Sequence, residues 1–202
     1  MKKRTFVATM TITGALLLGT ATVFHPPLSN PWNVTFAMNE VAHDSFWRLD
    51  HVVFLVGIFG WLTGLAYFAD TEYNSRDAAR LFAVALAVWS LVLAAELAVL
   101  PQILHEIVLQ DATGLQPIWG ILFTWGLFSG YLAMLIVYVG FFLLSVSVKG
   151  WMSRAGMISS IIAIAGAVLS LCFPERSLWL QVTTAPLPYL WSLWLILRAS
   201  FR

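Results

Sequence analysis

The sequence predicts an all-α fold, a polytopic bundle of about six transmembrane helices with both termini on the cytoplasmic side. The composition points to this class first, because 60% of the 202 residues are hydrophobic and only 10% are charged. Soluble domains have about 45–50% apolar and about 25% charged residues. A mean hydropathy of +0.83 agrees, and a lipid solvent removes the cost of exposing so much apolar surface.

Six apolar segments alternate with short polar stretches, and roughly 20 apolar residues are enough to cross the hydrocarbon core. The first segment follows a basic head, Lys2-Lys3-Arg4, and we expect it to be retained as a helix. A cleaved signal peptide is the alternative, because Gly19 and Ala21 have cleavage-site spacing. The chain is predicted to form a single domain over residues 1–202, with spans at about 6–24, 52–69, 81–104, 118–146, 155–173 and 180–198.

The basic residues are distributed unequally between the two sides of this topology. With the N-terminus inside and six crossings, nine Lys and Arg residues fall inside and two, Arg48 and Arg176, fall outside. An excess of Lys and Arg in the cytoplasmic loops sets orientation, so we expect a multi-pass protein of the bacterial inner membrane. The net charge of +1 gives no reason to expect a nucleic-acid partner.

Small residues recur at helical spacing in two spans. Gly60 and Gly64 form one GxxxG pair, and Gly126 and Gly130 form another. Helices in lipid associate through close backbone approach, which small residues permit. Besides the lipid bilayer itself, we therefore expect helix–helix association within the chain, with a second copy or with other membrane subunits. Pro101 should bend the third helix in its outer third.

A polar stretch before the second span carries His43, Asp44 and His51, and His105 and Glu106 lie at the far end of the third span. Helices joined by a short loop are usually antiparallel neighbours. We therefore expect His51 and His105 at similar depth on the outer side. Imidazoles with a carboxylate suit a divalent ion such as zinc, copper or iron. The candidate metal ligands are His43, His51, His105, Asp44 and Glu106, with Asp50 as a further carboxylate.

Two other interpretations of these outer residues stay open. A haem b group could take His51 and His105 as axial ligands, with space for the macrocycle beside Gly57 and Gly60. The plainer interpretation is that titratable residues, His25 among them, collect at a membrane boundary because polar groups are tolerated there. The candidate cofactors are therefore a divalent metal ion or haem b, and neither is assigned.

Glu96 is the one charge-capable residue deep inside a predicted span. An ionisable group in lipid is expensive and is a functional hypothesis by default, so an ion or proton pathway through Glu96 is one interpretation. From the rise per residue we expect Trp61, Thr63, Trp125 and Tyr189 at its depth. The alternative is a protonated carboxyl group that forms a hydrogen bond between helices.

Two short motifs carry a family resemblance. Phe46-Trp47-Arg48-Leu49 leads into the second span, and Gly150-Trp151-Met152-Ser153-Arg154-Ala155-Gly156-Met157 leads into the fifth. Together with the short polar turn before the third span, they resemble a family of uncharacterised six-span bacterial membrane proteins, a domain of unknown function. The resemblance covers most of the chain and implies the six-span fold. It implies no activity, ligand or site residue.

The motifs of common enzyme classes are missing from the sequence: it has no phosphate-binding loop, no GxSxG nucleophile elbow and no dinucleotide fingerprint. We therefore expect a non-enzymatic integral membrane protein, either a structural or interaction component or a small binding module. The first alternative is a metal- or haem-binding membrane redox component that uses the outer histidines. The second is the ion or proton pathway through Glu96.

Overall fold

A computed structural model describes residues 3–25 and 32–200, without the side chains of Pro174, Leu178 and Ser200. Every regular element in these ranges is helical, which confirms the all-α fold. Lys2 and Arg202, two of the nine cations predicted on the inside, lie outside the described residues. The helices are α1 (Lys3–Phe24), α2 (Val34–His43), α3 (Trp47–Thr71), α4 (Arg76–Ala94), α5 (Leu100–Leu109), α6 (Gln116–Ser147), α7 (Trp151–Cys172), α8 (Ser177–Thr184) and α9 (Pro186–Ser200).

Five helical stretches of the described chain are long and apolar enough to cross a membrane. They contain α1, α3, the combined α4 and α5, α6, and α7. The segment predicted as a sixth span is divided instead into α8, with 8 residues, and α9, with 15 residues. The division falls beside Pro186 and Pro188, which have no N–H group to continue the helical hydrogen-bond ladder.

The long helices run antiparallel to their neighbours, as the contacts between α1 and α3 show. At one end, the ring centroids of His25 and His51 are 5.3 Å apart. At the other end, the Arg4 guanidinium lies 3.0 Å from the Glu72 carboxylate. Between these ends, a Cβ atom on Gly14 would lie 2.5 Å from a backbone nitrogen of α3. Only a glycine therefore permits the approach of these two backbones.

The two GxxxG pairs have different roles in this packing. Gly60 and Gly64 face α1, and a Cβ atom on Gly64 would collide with the Thr11 side chain. This pair packs two helices of the same chain. Gly126 and Gly130 face side chains instead: their added Cβ atoms would lie 3.6 Å from the carboxylate of Glu96 and 3.4 Å from the ring of Trp89. The second pair thus leaves room for side chains and is not a close contact between backbones.

The helices α8 and α9 together run along the length of α7. The Gln181 side chain donates to the Ser170 hydroxyl at 3.1 Å, and the Trp191 indole donates to the Met152 carbonyl at 2.9 Å. The end of α9 then reaches the start of α1, where the guanidinium of Arg4 donates to the carbonyl of the penultimate residue of α9. We call this the basic end of the bundle, and we call the opposite end, which contains His25 and His51, the histidine end.

The predicted first loop contains a helix, α2, near its middle. The side chain of Asn33 accepts a hydrogen bond from the Phe36 N–H at 3.2 Å and so caps the helix. Val34 packs against Gly120 of α6, where an added Cβ atom would lie 2.7 Å from the valine side chain. The loop is therefore held against the histidine end of the bundle.

Aromatic side chains fill the interior of the bundle between the histidine end and the basic end. Phe82 and Phe141 are fully buried, and their ring centroids lie 5.3 Å apart. The ring of Trp61 lies 5.7 Å from that of Phe141. These rings pack α3, α4 and α6 together, and they form an apolar layer between the polar residues at the histidine end and the basic end.

A π-helical turn, Ala95–Val99, joins α4 to α5. Pro101 follows shortly after it, and a proline removes one N–H group and crowds the carbonyl four residues earlier. A turn with one extra residue relieves this crowding. The irregularity expected at Pro101 takes this form, and the turn contains Glu96. Single π-helical turns occur frequently at functional sites.

Candidate cation site

His51, in the first turns of α3, is the most buried titratable side chain at the histidine end, with 3% of its surface exposed. Its Nδ1 atom lies 2.7 Å from the carbonyl oxygen of Trp47, one helical turn earlier. A carbonyl oxygen can only accept a hydrogen bond, so Nδ1 carries the proton. In the neutral ring, the lone pair of the imidazole is therefore on Nε2.

Glu96 faces this lone pair from the neighbouring helix. Its Oε2 atom lies 3.4 Å from Nε2 of His51, and 13% of the glutamate side chain is exposed. The backbone of the π-helical turn is held in place by the Trp47 indole, which donates to the Glu96 carbonyl at 3.1 Å. The same tryptophan thus orients both partners, because its own carbonyl fixes the His51 ring.

The contact between His51 and Glu96 needs a positive charge. An imidazole lone pair and an ionised carboxylate both accept hydrogen bonds, so they repel each other unless a proton or a metal ion lies between them. Burial strengthens this requirement, because an uncompensated carboxylate is costly in a medium of low polarity. The pair is therefore arranged to hold a cation, in the broad sense that includes a proton.

His25 and Asp50 extend the site on the side of His51 that faces the end of α1. One imidazole nitrogen from each of His25 and His51 and one carboxylate oxygen of Asp50 lie within 4.8 Å of one another. The Oδ2 atom of Asp50 is buried and has no hydrogen-bond partner among the described residues. It lies 3.9 Å from Nδ1 of His51. A buried carboxylate oxygen without a donor is where a cation would be expected to bind.

A cavity of about 140 Å³ opens beside the pair and has His25, His51 and Glu96 in its wall. This volume can hold an ion and several water molecules, but it is below the roughly 300–1,000 Å³ of most small-molecule pockets. The cavity thus suits a small cation better than a haem group. The remaining wall is largely apolar and aromatic: Phe54, Trp89, Val92, Leu93, Gly126, Leu127, Gly130, Tyr131 and Met134.

Of the metal ligands predicted from the sequence, the structure places His51 and the further carboxylate, Asp50, in this cluster. His43 is exposed, and its Nδ1 atom is 2.7 Å from the carbonyl oxygen of Asn39. Asp44 accepts a hydrogen bond from the Phe46 N–H at 2.8 Å and so stabilises the turn that leads into α3. Neither residue belongs to the group of potential metal ligands that the described residues form.

The third span contributes differently from the prediction. His105 is exposed on α5 and is not in the wall of the cavity. Glu106 accepts a hydrogen bond from the Gln102 side chain at 3.1 Å. His51 does pair with a residue of the predicted third span, but this residue is Glu96 and not His105. Glu96 lies more than two helical turns before His105.

Sequence reasoning treated Glu96 and the histidines as separate candidates, and it left His25 out of the metal set. Glu96 was expected at the depth of Trp61, Thr63, Trp125 and Tyr189. Its carboxylate contacts His51 and lies beside Gly126, the residue after Trp125. One signal could have indicated His25: it directly follows the first apolar segment, as His51 directly precedes the second. Antiparallel packing of those segments brings the two histidines together.

No protein-family model, curated protein or solved structure matches this chain. The resemblance to a six-span bacterial family therefore stays a prediction.

Proposed function

We propose that this chain is a multi-pass protein of the bacterial inner membrane that acts as a small binding module for a cation on the outer side. Six crossings with both termini in the cytoplasm are part of the proposal. The meeting of Arg4 with the end of α9 supports an even number of crossings. The broken α8–α9 segment supplies the sixth, since it runs antiparallel to α7 from the histidine end to the basic end.

One observation carries the binding function: the Nε2 atom of His51 faces the carboxylate of Glu96 at 3.4 Å, while Nδ1 is already committed to the Trp47 carbonyl. A proton or a metal ion between the two satisfies both of these polar atoms. The adjoining cavity supplies space for it. An interaction component without a ligand would have no need of this buried polar pair.

A binding module is better supported than a pathway across the membrane. A pathway would need polar groups that continue from Glu96 towards the basic end. Between α3, α4 and α6, the described side chains below the cavity are instead the packed rings of Trp61, Phe82 and Phe141. The buried polar side chains of Tyr138, Gln181 and Ser170 bond one another on the side of α7 and α8. The three rings are at or below 7% exposure, so a cation that reaches the site from the histidine end has no evident continuation through this layer.

The binding proposal is tested by the charge state of His51. With only four histidines in the chain, side-chain nitrogen NMR of histidine-labelled protein in detergent micelles can resolve each ring. We expect both nitrogens of His51 to be occupied in the wild type. In Glu96→Gln, the neutral amide can donate to Nε2, so His51 should become a neutral ring. Glu106→Gln, on the exposed face of α5, is the matched control and should leave His51 unchanged. An identical His51 spectrum in the wild type and Glu96→Gln would overturn the proposal.

The topology is tested by labelling single cysteines in intact cells, in a Cys172→Ser background. Ser45→Cys at the histidine end and Asn74→Cys at the basic end are both exposed positions. A membrane-impermeant maleimide should label Ser45→Cys from outside. It should label Asn74→Cys only after the membrane has been permeabilised. The reverse pattern would show that the orientation is inverted.

A further inference from the structure

The cluster at the histidine end contains two imidazoles and two carboxylates from three separate helical segments. His25 directly follows α1, Asp50 and His51 lie in the first turns of α3, and Glu96 lies in the π-helical turn after α4. The side chains of Asp50, His51 and Glu96 are 9%, 4% and 13% exposed. A buried carboxylate costs free energy unless positive charge compensates it, and this cluster contains two.

The spacing of these groups fits a tetrahedral metal ion better than a network of hydrogen bonds. An ion pair between imidazolium and carboxylate usually closes to about 2.7–2.9 Å, whereas Nε2 of His51 and Oε2 of Glu96 are 3.4 Å apart. Two ligands that each lie about 2.1 Å from a tetrahedral zinc ion are about 3.4 Å from each other. The gap between the two side chains is thus the length of one edge of such a site.

The surroundings of His51 match those of a metal-binding histidine. Such a residue almost always donates its other ring N–H to a carbonyl or carboxylate, which fixes the tautomer and the ring orientation. Here Nδ1 donates to the Trp47 carbonyl at 2.7 Å, and the indole of Trp47 packs against the ring at 4.1 Å between centroids, with a 30° angle between the planes. Nε2 is therefore held ready for a metal ion.

His25 and Asp50 can complete the coordination. Their ligand atoms lie within 4.8 Å of a nitrogen of His51 and of each other. To bind the same ion as Nε2 and Glu96, the two side chains must rotate towards the Nε2 edge of the ring, because Nδ1 is occupied by the Trp47 carbonyl. The unpartnered Oδ2 atom of Asp50 supplies a lone pair for the ion. Two carboxylates also balance the charge of a divalent cation.

The ligand types decide the class of metal. Imidazole nitrogen suits zinc and the first-row transition metals, whereas calcium and magnesium prefer sites made of oxygen alone. Thiolate would favour copper(I), but the one cysteine, Cys172, is exposed at the end of α7. A two-imidazole, two-carboxylate set is therefore best matched by Zn²⁺ or a neighbouring divalent ion.

We infer that His25, Asp50, His51 and Glu96 form a binding site for one divalent transition-metal ion, with Zn²⁺ as the best fit. The inference rests on the proposed cation-binding function and names its ligand. Its ligand set shares His51 and Asp50 with the predicted one, and it takes its second imidazole from His25, the residue that follows α1.

The test uses the full chain in detergent, purified through a tag that contains no histidine and stripped of metal with a chelator. Zn²⁺ is titrated against a chromophoric competitor, and Co²⁺ is added separately because its visible spectrum reports tetrahedral coordination. We expect one ion per chain and a tetrahedral cobalt spectrum. Loss of an outer partner of a ligand typically weakens metal binding about 10–100-fold, so His25→Ala and Asp50→Asn, which remove ligands, should weaken it at least about 100-fold.

The matched controls are His43→Ala and His105→Ala, which remove exposed histidines outside the cluster. Both should bind Zn²⁺ as the wild type does. Circular dichroism and gel filtration verify the fold of each variant. Asp50→Asn and Glu96→Gln keep the shapes of the side chains, so they decide the outcome even if His51→Ala does not fold. A chain without a stoichiometric ion, or an ion that is lost in His105→Ala and kept in Asp50→Asn, would overturn the site.

The metal inference and the binding proposal can fail separately. If no metal binds but Glu96→Gln still changes the charge of the His51 ring, the cation at the pair is a proton. In that outcome the metal inference is wrong and the binding proposal stands. If neither metal binding nor the His51 ring responds to Glu96→Gln, both are wrong.

Discussion

The two ends of the bundle contain similar numbers of charged groups but use them in different ways. At the basic end, Arg80 and Asp77 form an ion pair within one helix, and both side chains are 77% exposed. At the histidine end, His51 and Glu96 come from different helices and are almost buried. Exposed pairs contribute little to stability because water and salt screen them. Burial and placement between helices, and not the count of charges, distinguish a site from a polar surface.

The largest loss of stability is expected at the contact between α1 and α3, which runs from one end of the bundle to the other. In Gly14→Val, the new side chain would overlap backbone atoms of α3, because the first added carbon already lies 2.5 Å from a backbone nitrogen. Overpacking of this kind usually costs about 1–3 kcal/mol, and backbone cannot move aside as a side chain can. We expect a loss at or above about 3 kcal/mol, measured by unfolding in detergent.

Gly130→Ala is the control for this change, since its Cβ atom would meet only the ring of Trp89, at 3.4 Å. It should remain close to the wild type. Equal losses in the two variants would show that α1 and α3 do not approach as closely as the contact requires.

The next largest loss of stability is expected at Glu96, where alanine removes the side chain and glutamine keeps its shape without its charge. Glu96→Ala removes the partner of His51 and leaves Nε2 of a buried ring without a partner, which typically costs about 1–3 kcal/mol. Glu96→Gln should cost much less, because its amide can donate to Nε2. Unfolding of both variants in metal-free detergent measures the difference. If alanine and glutamine destabilise equally, the pair does not stabilise the histidine end.

A smaller loss of stability is expected when two tryptophans that donate hydrogen bonds to the π-helical turn and the start of α5 are replaced. Trp47→Phe removes the indole N–H that donates to the Glu96 carbonyl at 3.1 Å. Trp119→Phe removes the indole N–H that donates to the Leu100 carbonyl at 3.2 Å. Each should lose about 1–2 kcal/mol. Only Trp47→Phe should also weaken Zn²⁺ binding, because Trp47 packs on His51. Similar Zn²⁺ affinities in the two variants would mean that Trp47 does not position the site.

The smallest effect is expected at the basic end. Arg80→Ala removes an exposed ion pair, and the free energy of unfolding should change by less than about 0.5 kcal/mol. Arg4→Ala should have the larger effect of the two, because Arg4 connects Glu72 of α3 to the end of α9. A larger loss in Arg80→Ala than in Arg4→Ala would contradict this account of the basic end.

Much of the fold could be predicted because lipid imposes simple rules on a sequence. Apolar length determines which segments can span, and small residues such as Gly60 and Gly64 indicate where helices touch. The break at Pro186 and the cap at Asn33 are local features, and their residues were visible in advance. Only the helix α2, short and partly polar, had no periodic pattern strong enough to be recognised.

The candidate site was less predictable, because its members are far apart in the chain. His25 and His51 meet only when α1 packs antiparallel to α3, and Glu96 reaches His51 only from a π-helical turn. The rise per residue predicted Trp61, Thr63, Trp125 and Tyr189 at the depth of Glu96 and gave no sign of its contact with His51. One extra residue in the turn is enough to change which neighbour a side chain faces.

The sequence by itself therefore determined the all-α fold class and the segments long and apolar enough to span a membrane, because these depend on composition and on local hydrogen bonding. It also indicated that polar chemistry collects near His51. Only the tertiary structure decided which residues share the site: His25, Asp50 and Glu96 join His51, while His43 and His105 remain exposed. The physical reason is that burial and ligand spacing depend on how separate helices pack, and no local pattern encodes the distance between them.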